Sequence, residues 1–288
     1  MLVCMFILTT ALICLVPQTD WYVDANAPTC AAGNGSSTAP FCQLREALTL
    51  AQAGDRIFVA PGVYDGQVDV PAGVSVTGTG GAAVTVIDGR GLGRVLRTLL
   101  GAPVVLEGLT ITGGAGPGPA TAAGIEVRGA LELRQVAVVD NQGTGLAGGI
   151  GLAPSATALT LIGCRVEDNS GGFGGGISAL QPSTIVIEGS TFARNVSGGD
   201  GGGVTLFGGA LTLRGSTFAH NAAGISGGGV LGAGALTVEG CTFEGNQSGA
   251  FGGGLEWLGG SARLVNSTFS GNSSSRSSAA AAARCCKT

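Results

Sequence analysis

The side chains whose types and spacing come nearest to chemistry recur at one place: Asp140, Asp168, Arg194 and His220, with Glu167 and Glu244 beside them. Two acids, a guanidinium and an imidazole on neighbouring repeats are ingredients of a metal site or of acid–base work on a sugar. A plainer reading is a solvated strip of turn residues that pair weakly, and the rest of the sequence favours it. His220 is the only histidine, so a zinc site built from several histidines is excluded. Glycoside hydrolysis needs two carboxylates about 5 to 10 Å apart. Glu126 and Glu256 share one outward column but lie five coils apart, roughly 24 Å at the strand spacing. The glycine runs SGGFGGG and SGGDGGG do not repeat every nine residues, and no GK[ST] tripeptide follows them, so they read as turns. No catalytic residue, cofactor site or metal site is assigned, and no cofactor is expected.

The elements that place these side chains follow from a repeat. The segments VAVVDN, CRVEDN, STFARN, STFAHN, CTFEGN and STFSGN close on Asn141, Asn169, Asn195, Asn221, Asn246 and Asn272, at separations of 28, 26, 26, 25 and 26. Runs of small residues lead into Ile125, Ile150, Ile177, Val204, Val230 and Leu255 on the same beat. A third mark, LELRQ, LTLIG, IVIEG, LTLRG, LTVEG and ARLVN, completes each period. Three strand-like segments in about 26 residues leave no room for a helix in each repeat, so the chain must coil with equivalent strands in parallel. Parallel crossovers are right-handed in nearly all folds. The expected fold is an all-β, single-stranded right-handed parallel β-helix, three strands per coil.

Strand alternation fixes the register. Inward columns read Leu131/Leu133, Leu159/Leu161, Ile185/Ile187, Leu211/Leu213, Leu236/Val238 and Ala262/Leu264. The fourth position reads Glu107, Arg134, Ile162, Glu188, Arg214, Glu239 and Val265, alternating in sign where neighbours are charged. Phe192, Phe218, Phe243 and Phe269 form an inward stack, and Trp257 aligns with Leu206. Phe173 and Phe251, in glycine turns and sharing a column with Leu146, are the aromatics expected at the surface. The Asn column is expected to stack its amides at a turn and satisfy backbone groups there.

Glycine supplies 55 of 288 residues and charged residues only 11%; Lys287 is the sole lysine. The net charge of −4 gives no basic footprint, so nucleic acid is not an expected partner. No apolar run reaches the roughly 18 to 20 residues of a membrane span. Leu2 to Val16 has the length of a signal-peptide core, so residues 1–19 read as a signal peptide or apolar leader and no transmembrane helix is expected beyond it. Cys30 and Cys42 flank a short Gly/Ser loop and are the plausible disulfide. Cys164 and Cys241 fall in the column of Ser190, Ser216 and Ser267, three coils apart, roughly 14 Å and beyond bridging range.

The alternating marks GG[ILV] and FxxN, from Gly148-Gly149-Ile150 to Phe269…Asn272, resemble the polymorphic outer membrane protein repeat of bacterial surface proteins. Residues 21–89, from WYVDANAPTC to VTVIDG, resemble the N-terminal cap of secreted proteins with the pectin-lyase-like fold. There, Leu44, Ala47, Leu48 and Ala51 keep helical spacing with Gly54 as the stop. The resulting layout is a leader (1–19), a cap with a short helix (20–56), the β-helix (57–272) and a low-complexity tail expected to be disordered (273–288). The resemblance implies a non-catalytic secreted or cell-surface scaffold, adhesin-like or structural, on the bacterial outer membrane or outside the cell. Its partner would be a polysaccharide or a host or cell-surface component. The same fold implies a second possibility, a polysaccharide lyase or glycoside hydrolase.

Overall fold

Along the repeat, each strand finds its hydrogen-bonding partner one period later rather than in its sequence neighbour, and the chain therefore closes into coils. The computed structural model describes residues 3–5, 13–15, 17–28, 30–116, 118, 122–276 and 283–285. About eight turns of about 26 residues stack as an all-β parallel solenoid with one α-helix. The strands led by the glycine runs, such as Ile177–Ala179, share a 17-stranded sheet with the LTL-type strands, such as Ser183–Glu188. The two kinds run into one another in Val204–Arg214 and Val230–Glu239. The strands that precede each Asn, such as Thr191–Ala193, together with three strands upstream of the Asn column, form a nine-stranded sheet. The residues straight after each Asn, with Ala115–Gly116 one coil upstream, add a sheet of seven two-residue strands, such as Val196–Ser197, a pairing the sequence marks did not foretell.

The inward columns stack as aliphatic and aromatic ladders. Tyr64, Ile87, Ile111, Val138, Val166, Phe192, Phe218, Phe243 and Phe269 follow one another coil by coil. The phenylalanine centroids are 4.9, 4.9 and 4.5 Å apart and the rings nearly parallel. Leu206, Gly232 and Trp257 share another column, and the bare Gly232 leaves room for the Trp257 ring, which is buried. Each buried aliphatic contributes roughly 1.5 to 3 kcal/mol, so these columns outweigh the surface ion pairs. The charge ladder is partial. Arg214 meets Glu188 at 2.8 Å and Glu239 at 4.0 Å, but Arg134 turns along its own strand to Glu132 at 2.6 Å instead of reaching Glu107.

Two polar ladders run beside the apolar ones. The backbone N–H and Nδ2 of Asn195 both donate to Asn221 Oδ1, at 3.0 and 2.9 Å, and Nδ2 also donates to the Val166 carbonyl at 2.7 Å. The same pattern links Asn141, Asn169, Asn221, Asn246 and Asn272 in turn. A second ladder passes the N–H of Cys164 to Ser190 Oγ, of Ser190 to Ser216 Oγ and of Cys241 to Ser267 Oγ. Cys164 and Cys241 are free thiols inside it, and burial pushes both thiols up.

At the N-terminal end the α-helix Leu44–Leu50 buries Leu44, Ala47 and Leu48, and a Gln43–Glu46 capping box starts it. It leaves helical geometry at Ala51, which is extended, rather than at Gly54; the φ of +98° at Gly54 serves the turn beyond. Strand Asp20–Val23 pairs with Arg56–Val59, so the first coil begins inside the region read as cap. Cys30 and Cys42 are joined by a disulfide, with Cα atoms 4.7 Å apart. In the leader, Val3–Met5 pairs antiparallel with Ile13–Leu15; its other residues up to 16 lie outside the described residues. In the tail, Ser273–Ser274 pairs with Gln247–Ser248 and Ala283–Cys285 with Leu255–Trp257, so it is not without regular structure throughout; 277–282 and 286–288 lie outside the described residues.

Phe218→Ala should cost about 3 to 5 kcal/mol in urea unfolding, and Phe269→Ala, at the partly buried end of the stack, distinctly less. Asn195→Ala strands the Asn169 N–H and should cost at least about 2 kcal/mol; an Asn195→Ala midpoint equal to the parent's contradicts the ladder. In the native protein, Cys164 and Cys241 should resist a thiol-alkylating reagent and react fully once the chain is denatured.

Candidate functional site

The strip of Asp140, Asp168, Arg194 and His220 is a backbone corner before it is anything else. All four residues have φ between +55° and +58°, and Gly113, Gly245 and Gly271 take the same place on other coils with φ from +61° to +67°. The left-handed conformation turns the chain so that the following Asn points into its ladder. Aspartate and histidine tolerate that conformation better than most residues, which explains the polar identity of the column without any ligand. All four side chains are exposed.

The strip is not brought together as one site. Arg194 grips Asp168 with two hydrogen bonds, 2.8 and 2.7 Å, and reaches Glu167 at 3.3 Å. Arg165 meets Glu167 at 2.9 Å. The Asp168 carboxylate, through those hydrogen bonds, holds the Arg194 guanidinium well above its ordinary range, and Glu167, accepting from Arg165, raises that guanidinium too. Among the described residues, no side-chain hydrogen bond or ion pair ties Asp140 or His220 into this group. The His220 ring lies over Gly245, where a Cβ would stand 2.5 Å from Nδ1.

The column of Glu126, Gly151, Ser178, Thr205, Leu231 and Glu256 points away from the core, as strand alternation requires, but it is buried rather than solvent-facing. The glycine-rich segment after each Asn folds back over it. A Cβ at Gly201 would sit 2.0 Å from Thr205 Oγ1, at Gly227 2.4 Å from Leu231, and at Gly252 2.5 Å from Glu256. The glycine runs are therefore the lid of a second, thin interior layer. Of the aromatics expected at the surface, Phe173 is 49% exposed and Phe251 is half-buried, while Leu146 in their column is buried. Tyr22 and Phe58 form an outward stacked pair, 5.4 Å between centroids, that the repeat marks did not predict.

The densest ionic cluster lies where the sequence gave no motif. Asp69, Arg97 and Glu126 are in register on successive coils. Arg97 makes a bidentate pair with Asp69; Arg94 meets Glu126 at 2.8 Å and Asp69 at 3.8 Å; Arg128 meets Glu126 at 2.7 Å. Glu126 is buried beneath them, and the hydrogen bonds that Arg97 donates to the Asp69 carboxylate hold its guanidinium above its ordinary range. The register Val68, Leu96, Ile125 extends the glycine-led rank two coils upstream, and following it in the sequence would have exposed the cluster. Three guanidiniums against two carboxylates leave one positive charge. A hollow of about 440 Å³, lined by Leu100, Glu126, Arg128, Ala153, Pro154 and Ser155, opens beside it. With both acids held by arginines, the arrangement suits gripping an anion better than moving protons. Among the described residues no group of three or more His, Cys, Asp or Glu side chains is placed to hold a metal ion.

The pectate lyase Pel9A superposes with a TM-score of 0.55 at 15% identity, over 88% of this chain and 79% of that one, which shows a shared fold. A rhamnogalacturonan lyase gives 0.47 at 11% identity over 82% and 75%. The deglycosylated pectin methylesterase from Aspergillus niger gives 0.45 at 12% over 92% of each chain. No curated protein matches in sequence. The right handed beta helix region matches residues 72–274, most of the chain, and the protein belongs to that family.

Proposed function

We propose that this protein is a non-catalytic secreted or cell-surface β-helix scaffold, adhesin-like or structural, whose repeats are of the polymorphic outer membrane protein type. The observation that carries this reading is the engagement of its polar side chains. The strip residues Glu167, Asp168 and Arg194 are tied to one another, Asp140 and His220 hold backbone corners, and the Asn and Ser columns are spent on joining coils. Rigid stacked columns suit a surface that presents contacts along its length, and a polysaccharide or a cell-surface component is the partner in this reading. Fold likeness alone does not fix function.

A second reading, a carbohydrate-active enzyme, is favoured by one observation: the arginine cluster around Glu126 beside an open hollow, on a fold shared with a pectate lyase. In that case Arg94, Arg97 and Arg128 would hold an acidic sugar.

The two readings separate on incubation with pectin, alginate and glycosaminoglycans, with and without calcium, followed by assay of unsaturated products and reducing ends. The scaffold gives no turnover with any of them. Turnover lost in Glu126→Gln or Asp168→Ala establishes the enzyme instead. Stability distinguishes the clusters independently: Arg194→Ala should change unfolding by no more than about 1 kcal/mol, whereas Glu126→Ala, which removes a buried partner of two arginines, should cost more.

A further inference from the structure

The first strand of the solenoid, Asp20–Val23, has a partner on one side only within the coils: Arg56–Val59. Its other edge is where the large sheet would end. The Tyr22 N–H there donates to the Gly35 carbonyl at 2.9 Å, the Tyr22 carbonyl accepts from the Phe41 N–H at 2.9 Å, and the Asp24 N–H donates to the Phe41 carbonyl at 2.8 Å. Val23 and Phe41 form an isolated parallel bridge. The loop between Cys30 and Cys42 therefore occupies the edge without adding a strand of its own.

The disulfide is the covalent tie of that loop, beside its three backbone hydrogen bonds to Tyr22 and Asp24. Its segment GNGSSTAP is short and polar, held internally by the N–H groups of Asn34 and Gly35 on the Ala39 carbonyl. Its one large apolar anchor is Phe41, stacked on Trp21 at 6.0 Å. That stack depends on Gly35, at φ +78°, where a Cβ would stand 2.4 Å from the Phe41 ring and 2.7 Å from Trp21. Cys42 is also the residue before the capping box of the helix that covers the first coil from below. One covalent bond thus ties down the cover of the sheet edge at the point where the cover of the core begins. Both cysteines are half-buried, within reach of a small reagent.

We propose that the Cys30–Cys42 disulfide is a redox latch: oxidised, it holds the loop over the edge of Asp20–Val23; reduced, it lets the loop leave and opens that end of the solenoid. A dithiol reductant performs the step. One thiolate attacks a sulfur of the bridge to give a mixed disulfide, and the second thiol displaces it. Cys30 and Cys42 are left as thiols and the reagent as its own disulfide. The solenoid end is then sealed only in oxidising surroundings, and its first strand edge is free for pairing elsewhere, since an uncovered edge is a template for other strands.

Amide hydrogen exchange on the full-length chain, before and after reduction with dithiothreitol, tests this. The Tyr22 and Asp24 amides should exchange at least about tenfold faster after reduction, while the Ala60 amide, which donates to the Val23 carbonyl on the opposite edge, keeps its rate. The Cys30→Ser/Cys42→Ser variant should match the reduced protein. Gly35→Ala should speed the same two amides with the disulfide intact. Unchanged protection of Tyr22 and Asp24 after complete reduction overturns the latch. So does loss of protection at Ala60 to the same degree, because the bond would then be a general staple.

Discussion

Register between successive coils is the constraint on which this molecule depends. A residue meets its equivalent one period on, so a side-chain type that works once works again, and columns of Leu, Ile, Val and Phe become continuous. The ring spacing of 4.5 to 4.9 Å in the phenylalanine stack is the strand spacing itself. The Asn ladder enforces the same register from the polar side, since a slip of one residue would take every amide from its acceptor and leave buried donors unpaired. Apolar burial supplies most of the energy; the amides supply the alignment.

That alignment limits where chemistry is free to sit. Inside the coils every position is claimed by packing, and at the corners the backbone asks for left-handed residues or glycine. The layer beneath the glycine runs has room for small side chains or for buried ones such as Glu126 and Glu256. Departures from the repeat therefore carry the most information. The arginine cluster lies in the first coils, upstream of the regular GG and FxxN marks, where each coil has its own sequence. In the regular region the polar residues share the geometry of a corner more than they share a task.

The sequence made the coil period, the inward columns and the parallel register legible, because a 26-residue beat with period-2 alternation admits few other folds. It was less informative wherever one backbone segment covers another. Alternation sends Glu126, Thr205 and Leu231 outward, and only the folding back of the glycine runs buries them, a long-range event with no local signal. Arg134 illustrates a smaller limit: register put it opposite Glu107, yet Glu132, two residues away on the same face, is the partner it takes. At the cap, helical spacing extended to Ala51 and Gly54 looked like the stop, while the chain left the helix at Leu50 to begin the run toward Arg56.

The amide ladder also has a direction, and direction has a consequence for how such a chain lengthens. Each Asn donates to the Asn that follows and accepts from the one before, so every internal rung is interchangeable with any other. Excising residues 196–221 would bring Asn195 beside Asn246 with donor and acceptor still matched, and Phe192 beside Phe243. Inserting a copied coil would do the same in reverse. Size in this architecture is therefore quantised: descendants of one gene can differ by whole turns at little energetic penalty, whereas gain or loss of a few residues within a strand is selected against.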